Sequence, residues 1–220
     1  MTDRQRDLFL QGEADEWYLR NREVLLKRDS DPVLDSLAHL KLQPTSVLEV
    51  GCANGWRLEL LRQHTGASVA GVDPSSAAIE EGHALYPAVD LRVGTAEELD
   101  FGDASFDLVI FGFCLYLVDP QLLFRVVAEA DRVLRDGGHV VIFDFLEPTA
   151  YHNEYVHRPG VRSHKMVFSR LFTAHPAYFL IHRQLDMTGS DALAPDRRSG
   201  VDVLVKDNAG AFPVSPHVRT

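Results

Sequence analysis

The spacing of apolar residues changes period repeatedly along the chain. Short runs rich in apolar and β-branched residues read as strands: SVLEV (46–50), SVAGVD (68–73), DLRVG (90–94), FDLVIFGF (106–113) and HVVIFDF (139–145). Between them lie stretches with apolar residues three and four apart, which read as helices: GWRLELLRQH, PSSAAIEEGHALYP and the long DPQLLFRVVAEADRVLRDGG, closed by Gly137 and Gly138. The run at 106–113 is apolar enough to be buried on both faces. Strict alternation of strand and helix through Phe145 predicts βαβ units and a parallel sheet with right-handed crossovers. In such sheets ligands sit at the carboxyl ends of the strands.

The flanks read differently. The first forty residues are helical in pattern, with Asp31 as a helix cap, Pro32 at the first helical position, and Val33, Leu34, Leu37 and Leu40 on one face. After Phe145 comes a polar stretch rich in Tyr, His and Arg, too long for a simple connection. AYFLIHRQLD and GVDVLVKD then follow with no helix between them, which predicts an antiparallel hairpin ending the sheet. The tail from Asn208 is expected to be loose.

The 220 residues fit one domain, and the net charge of −10 disfavours nucleic acid as a partner. Two distant cysteines, Cys52 and Cys114, make neither a disulfide scaffold nor a zinc motif. No signal peptide and no membrane span are expected, and a reducing cytoplasm fits.

The chemistry concentrates at VLEVGCANGWRLELL (47–61), a strand, a glycine-bearing turn and a helix. A dinucleotide fingerprint starting at Gly51 would need glycines where Ala53 and Trp56 stand, and no Gly-Lys-Ser/Thr follows for a P-loop. Instead Glu49 precedes Gly51 and Gly55, and Asp73 ends the next strand. An acid beside the turn is poorly placed for pyrophosphate and well placed for a cation; Asp73, about 20 residues on, can accept ribose hydroxyls. A phosphate-free, cationic adenosine meets these demands.

With VLEVGCANG, VAGVDPS, VGTAEELDF, FDLVIFGFCLYLVDP and EADRVLRDGGHVVIFDF in order, the chain resembles the class I, Rossmann-like S-adenosylmethionine-dependent methyltransferases over roughly 44–145, and more weakly beyond. The resemblance implies an α/β fold with a mostly parallel seven-stranded sheet, order 3-2-1-4-5-7-6, helices on both faces and an antiparallel last strand. It implies a single domain: a helical lid over 1–43, a cofactor core over 44–145, an acceptor-side insertion over 146–175, and a terminal hairpin and tail over 176–220. S-adenosylmethionine would be the cofactor and S-adenosylhomocysteine the product. Gly51, Ala53 and Gly55 would line the methionine and ribose portions, and Glu49 would shape the turn and help place the ammonium end. Asp73 would bind the ribose, with Pro74 near the adenine. Thr95, Ala96 and Glu97 would lie at the adenine edge, although relatives often carry an acid where Thr95 stands. Phe111 and Gly112 would sit near the amino-acid end, and Tyr18 or Arg20 would reach the cofactor carboxylate from the lid.

Methyl transfer is a displacement at a sulfonium methyl, so alignment matters most and a base is needed only for a hydroxyl or protonated-amine acceptor. His152, His157, Tyr116 and Asp144 are the candidate bases, and Tyr151, Tyr155 and Arg158 the candidate acceptor contacts. No metal is expected: the insertion lacks zinc-helix spacing, and the fourth strand ends without acids. The motifs of adenine-N6, glutamine and arginine methylation are absent. A small-molecule acceptor is therefore expected, such as a sugar, amino-acid derivative or natural-product intermediate, methylated on O or N by a monomer or homodimer. The alternative is a cofactor-binding relative without transferase activity, a scaffold or a repurposed enzyme.

Overall fold

Residue alternation builds the sheet from the inside out. In β1 (Ser46–Val50) Val47 packs to one side and Leu48 to the other. In β4 (Phe106–Gly112), directly beside it, Leu108 and Ile110 join Val47 while Val109 and Phe111 join Leu48. Both faces are therefore buried, and each has its own apolar layer. Helices supply the facing surfaces. Val33 and Leu37 of α3 (Pro32–His39), and Leu58 and Leu61 of α4 (Trp56–Thr65), cover one face. Val126 and Ala130 of α6 (Leu123–Val133) cover the other.

The computed structural model describes residues 5–28 and 30–214. In chain order the elements are α1 (Gln5–Leu8), a π-helical turn over Phe9–Glu13, α2 (Ala14–Leu26), α3, β1, α4, β2 (Ser68–Asp73), α5 (Ser76–Leu85), β3 (Asp90–Val93), β4, a 3₁₀ turn over Leu115–Leu117, α6, β5 (Leu134–Glu154), β6 (Arg162–Val167), α7 (Ser169–Thr173), β7 (Tyr178–Leu185), β8 (Ser199–Lys206) and α8 (Asn208–Ala211). The sheet runs β3-β2-β1-β4-β5-β8-β7, with β6 paired to β5 off this path. The first five strands are parallel; β8 is antiparallel to β5, and β7 to β8. This is the expected strand order, with one strand more than the expected seven.

That additional strand comes from the stretch read as an insertion. β5 does not stop at Phe145: it leaves the sheet and forms a hairpin with β6, pairing Tyr151 with Lys165 and Glu154 with Arg162. Three further boundaries differ. The helix expected over 119–138 ends at Val133, because Leu134 already pairs with Phe106 and Gly137 turns the chain at a φ of 75°. The tail expected to be loose contains α8, capped by Asp207 accepting from the Gly210 amide. Residues 1–4 of the expected lid and 215–220 of the tail lie outside the described residues. Among the described residues no helix is long and apolar enough to cross a membrane.

Asp31 caps α3 as its position suggests, accepting from the amides of Val33 and Leu34, with Pro32 following. Asp107 fastens the entry of β1 to β4. It accepts from the Thr45 amide and hydroxyl, the Ser46 amide and the Arg135 guanidinium, at 2.7–3.0 Å. Asp107→Ala leaves these donors unpaired at a largely buried site, so it should cost about 2–4 kcal/mol. A lowered urea midpoint at unchanged slope checks this.

Candidate active site

Three left-handed residues shape the turn after β1: Gly51, Ala53 and Gly55, with φ of 74°, 49° and 78°. A side chain at Gly51 would come within 2.5 Å of the Cys114 Cβ, and one at Gly55 within 2.8 Å of Leu91. Ala53 bears a strain of about 1–2 kcal/mol in this conformation, and its amide is held in return. It donates to Asp73 Oδ2 at 2.8 Å, while the Ser75 amide donates to Oδ1 at 2.9 Å. The carboxylate thus joins the turn after β1 to the entry of α5. It does not cap α5; Ser75 does, accepting from the Ala78 amide. Burial pushes the Asp73 carboxyl up to about 6.

Asp73 opens onto a cleft at the carboxyl ends of the strands. Pro74, Thr95, Ala96 and Glu97 line one side, and Gly51 and Gly112 another. Arg6, Phe9 and Trp17 roof it from the N-terminal segment. That segment is fastened by Gln5, whose side chain donates to the Arg162 carbonyl and accepts from the Arg162 amide. The chamber carries three carboxylates, Asp73, Glu97 and Asp119, against one cation, Arg6. Arg6 pairs with Glu97 at 3.3 Å, and its amide donates to Asp119. Such a lining repels pyrophosphate and suits an uncharged adenosine attached to a cation.

Trp17, Gly51, Gly112 and Phe113 also line a second chamber, which therefore adjoins the first at the end of β4. Its walls carry Trp56, Tyr116, Phe143, Tyr155 and His157. Glu49 lies at its base, 1% exposed, with Oε1 bonded to Arg57. Glu49 Oε2 is buried and has no partner among the described residues. Burial pushes the Glu49 carboxyl up to about 7, against the pull of the guanidinium. Arg57, itself 4% exposed, forks onto both oxygens of Asp31 at 2.9–3.0 Å and stacks on Trp56. The strand end beside this pair must be glycine: a side chain at Gly112 would lie 2.5 Å from both Arg57 Nη1 and Glu49 Oε1.

Not every expected residue reaches these chambers. On α2, Trp17, Asn21 and Val24 face the second chamber, a spacing of four and three that marks one helix face. Tyr18 and Arg20 point elsewhere. Tyr18 is buried and donates to Glu81; Arg20 pairs with Glu13 and reaches the Tyr155 hydroxyl. Phe111, expected beside the amino-acid end, is fully buried against Phe172, because strand alternation turns it into the core. Gly55 serves the helix start and lines neither chamber. Ala53, Tyr116, Tyr155 and His157 line the second chamber; Tyr151, His152 and Arg158 do not. Tyr151 bonds Asp196, and His152 faces His164 across the hairpin. Asp144 is 1% exposed, accepts from the amides of Phe145 and Tyr116 and lines neither chamber, so it is not presented to an acceptor. Arg6, Phe9, Arg28 and Arg57 line the chambers without having been singled out in the sequence. Among the described residues no group of three or more His, Cys, Asp or Glu could hold a metal ion.

Fold and site together define a Rossmann-like domain built to hold an adenosine derivative beside a second, aromatic-walled chamber. Residues 48–142 match the methyltransferase domain family. The chain is 30% identical over 150 residues to an uncharacterized methyltransferase of Synechocystis sp., covering 68% of this chain and 66% of that one. It is 37% identical over 123 residues to a phosphatidylethanolamine N-methyltransferase of Cereibacter sphaeroides, covering 53% and 58%. The chain thus spans no more than about two thirds of the length of these relatives. Its fold is similar to that of the Burkholderia thailandensis 1,6-didemethyltoxoflavin-N1-methyltransferase, solved with 1,6-didemethyltoxoflavin and S-adenosylhomocysteine bound: TM-score 0.71, 19% identity, covering 92% of this chain and 89% of that one. Residues 48–142 form a methyltransferase domain, and the relatives and the fold agree on the class I, S-adenosylmethionine-dependent kind.

The buried Asp144 carries a pH signature. Burial raises its carboxyl to about 7 from an ordinary value near 4. The folded state therefore holds this proton more tightly, and the stability it gives is full below about pH 4 and lost as pH rises through about 7. Asp144→Asn should flatten the decline in urea stability between pH 5 and 8 by about 2–3 kcal/mol. An unchanged pH slope would contradict this.

Proposed function

We propose that this chain transfers a methyl group from S-adenosylmethionine to a small-molecule acceptor held in the second chamber. The observation that carries this reading is the meeting of an acid-lined adenosine chamber with an aromatic chamber at Gly51 and Gly112. The cofactor supplies an electrophilic methyl on a good, neutral leaving group. The chain's own residues bind and align. Asp73 retains lone pairs for the two ribose hydroxyls after receiving the two amides. Thr95, Ala96 and Glu97 stand at the adenine edge, and the unpartnered Glu49 oxygen is available to the ammonium. Gly51 and Gly112, lacking side chains, let the ligand approach the backbone at the junction.

The aromatic lining of the second chamber supports an acceptor with an apolar or planar body, and its size supports a small one. The relative named a phosphatidylethanolamine N-methyltransferase, and the fold neighbour named a 1,6-didemethyltoxoflavin-N1-methyltransferase, support an acceptor that is not a macromolecule. His157 is the candidate to take a proton where the acceptor is a hydroxyl or protonated amine. It lines the chamber, whereas burial raises the Tyr116 phenol well out of the useful range. Free cysteines at Cys52 and Cys114 agree with a reducing, cytoplasmic setting.

Calorimetry with S-adenosylhomocysteine tests the reading. Wild type should bind, and Asp73→Ala should weaken binding at least about tenfold. Because the ionised carboxylate accepts the hydroxyls, affinity should also fall as pH drops below about 6, the Asp73 value, and this component should disappear in Asp73→Asn. No binding by wild type, or full binding by Asp73→Ala, would refute the proposal. His157→Ala should slow release of S-adenosylhomocysteine in acceptor screens while leaving its affinity within about threefold.

A further inference from the structure

The buried charges under the second chamber go further than the reading above, on which this inference rests. Arg57 is the second residue of α4, two residues after Gly55, and lies between carboxylates from two other parts of the chain. Asp31 receives Nε and Nη2 and Glu49 receives Nη1, so three of the five guanidinium N–H donors are held by carboxylates. Its position is fixed on three sides: by the fork onto Asp31, by the Trp56 ring 4.8 Å from its centre, and by the space that Gly112 leaves. Asp31 is fixed in turn, because it also caps α3. Among the described residues Glu49 has no other anchor: its second oxygen is buried and unpartnered, and the residue lines the chamber.

A carboxylate left alone at 1% exposure would neutralise or rotate to find a donor. We infer that Arg57 is a positioning residue for the amino-acid end of the cofactor. It clamps one oxygen of Glu49 so that the other stays aimed at the chamber, where the α-ammonium can meet it. With Glu49 ionised, the trio of Asp31, Glu49 and Arg57 carries the charge of one carboxylate, which a bound cation balances.

The test compares two ligands by calorimetry. S-adenosylhomocysteine carries the amino-acid end; 5′-methylthioadenosine has the same adenosine and sulfur without it. Arg57→Met should weaken the first at least about tenfold and leave the second within about twofold, and Arg57→Lys should restore much of the loss. Removing Arg57 strands two buried acids and endangers folding. The double variant Asp31→Asn/Arg57→Met removes a cation and a carboxylate together and should show the same selective loss. Parallel loss of both ligands would mean a merely structural role and overturn the inference, as would unchanged binding of S-adenosylhomocysteine. If wild type binds neither ligand, the cofactor reading itself fails, which is a distinguishable result.

Discussion

The site depends on one carboxylate that receives two backbone amides. Asp73 closes β2, yet its two oxygens are engaged by Ala53, in the loop after β1, and by Ser75, at the entry of α5. Three consecutive pieces of backbone are thereby locked around a single acid. The left-handed conformation of Ala53 is tolerable because its amide is satisfied there. The parallel pairing of Val50 with Val72 brings both strand ends level, so the acid reaches the loop at all. Without that register the turn would have no partner and the cleft no floor.

Around this lock the electrostatics divide cleanly. The first chamber is acidic, and the one arginine among its described lining residues is already paired. Below the second chamber a buried arginine is held by two acids and leaves one oxygen unmatched. Both arrangements favour a ligand with a positive centre and no phosphate. This is the physical reason why a turn that superficially resembles a dinucleotide loop is unsuited to one.

Much of this was legible in the sequence where local and global signals coincide. The strands from Val47 to Phe145 announce themselves by apolar runs, the α3 cap by Asp31 and Pro32, and part of the first chamber's lining by Asp73, Pro74 and the 95–97 segment. Side-chain direction was harder to read. Tyr18 and Arg20 looked suitable by chemistry, but a helix turns about 100° per residue, and it is Trp17 and Asn21 that face inward. Phe111 was set by strand alternation, which points it away from the cleft. The stretch after Phe145 hid a hairpin because its strands carry polar, largely exposed residues such as His152 and Glu154, so no apolar period marked them. Arg57 was invisible for another reason: an arginine on a helix reads as a solvated one, and only the convergence of Asp31 and Glu49 buries it.

The N-terminal roof consists of two mechanically different parts. The helix α2 is riveted to α5 by Tyr18 on Glu81 and by Asp15 on Ser75 and the Ala77 amide. The piece ahead of it is separated by Gly12, whose φ of 129° breaks the helical path, and is secured chiefly by Gln5 and Arg6. The roof is thus a beam preceded, across the Gly12 kink, by a short strap tied down by polar contacts. The strap covers the first chamber with Arg6 and Phe9, while the beam brings Trp17 and Asn21 to the aromatic one.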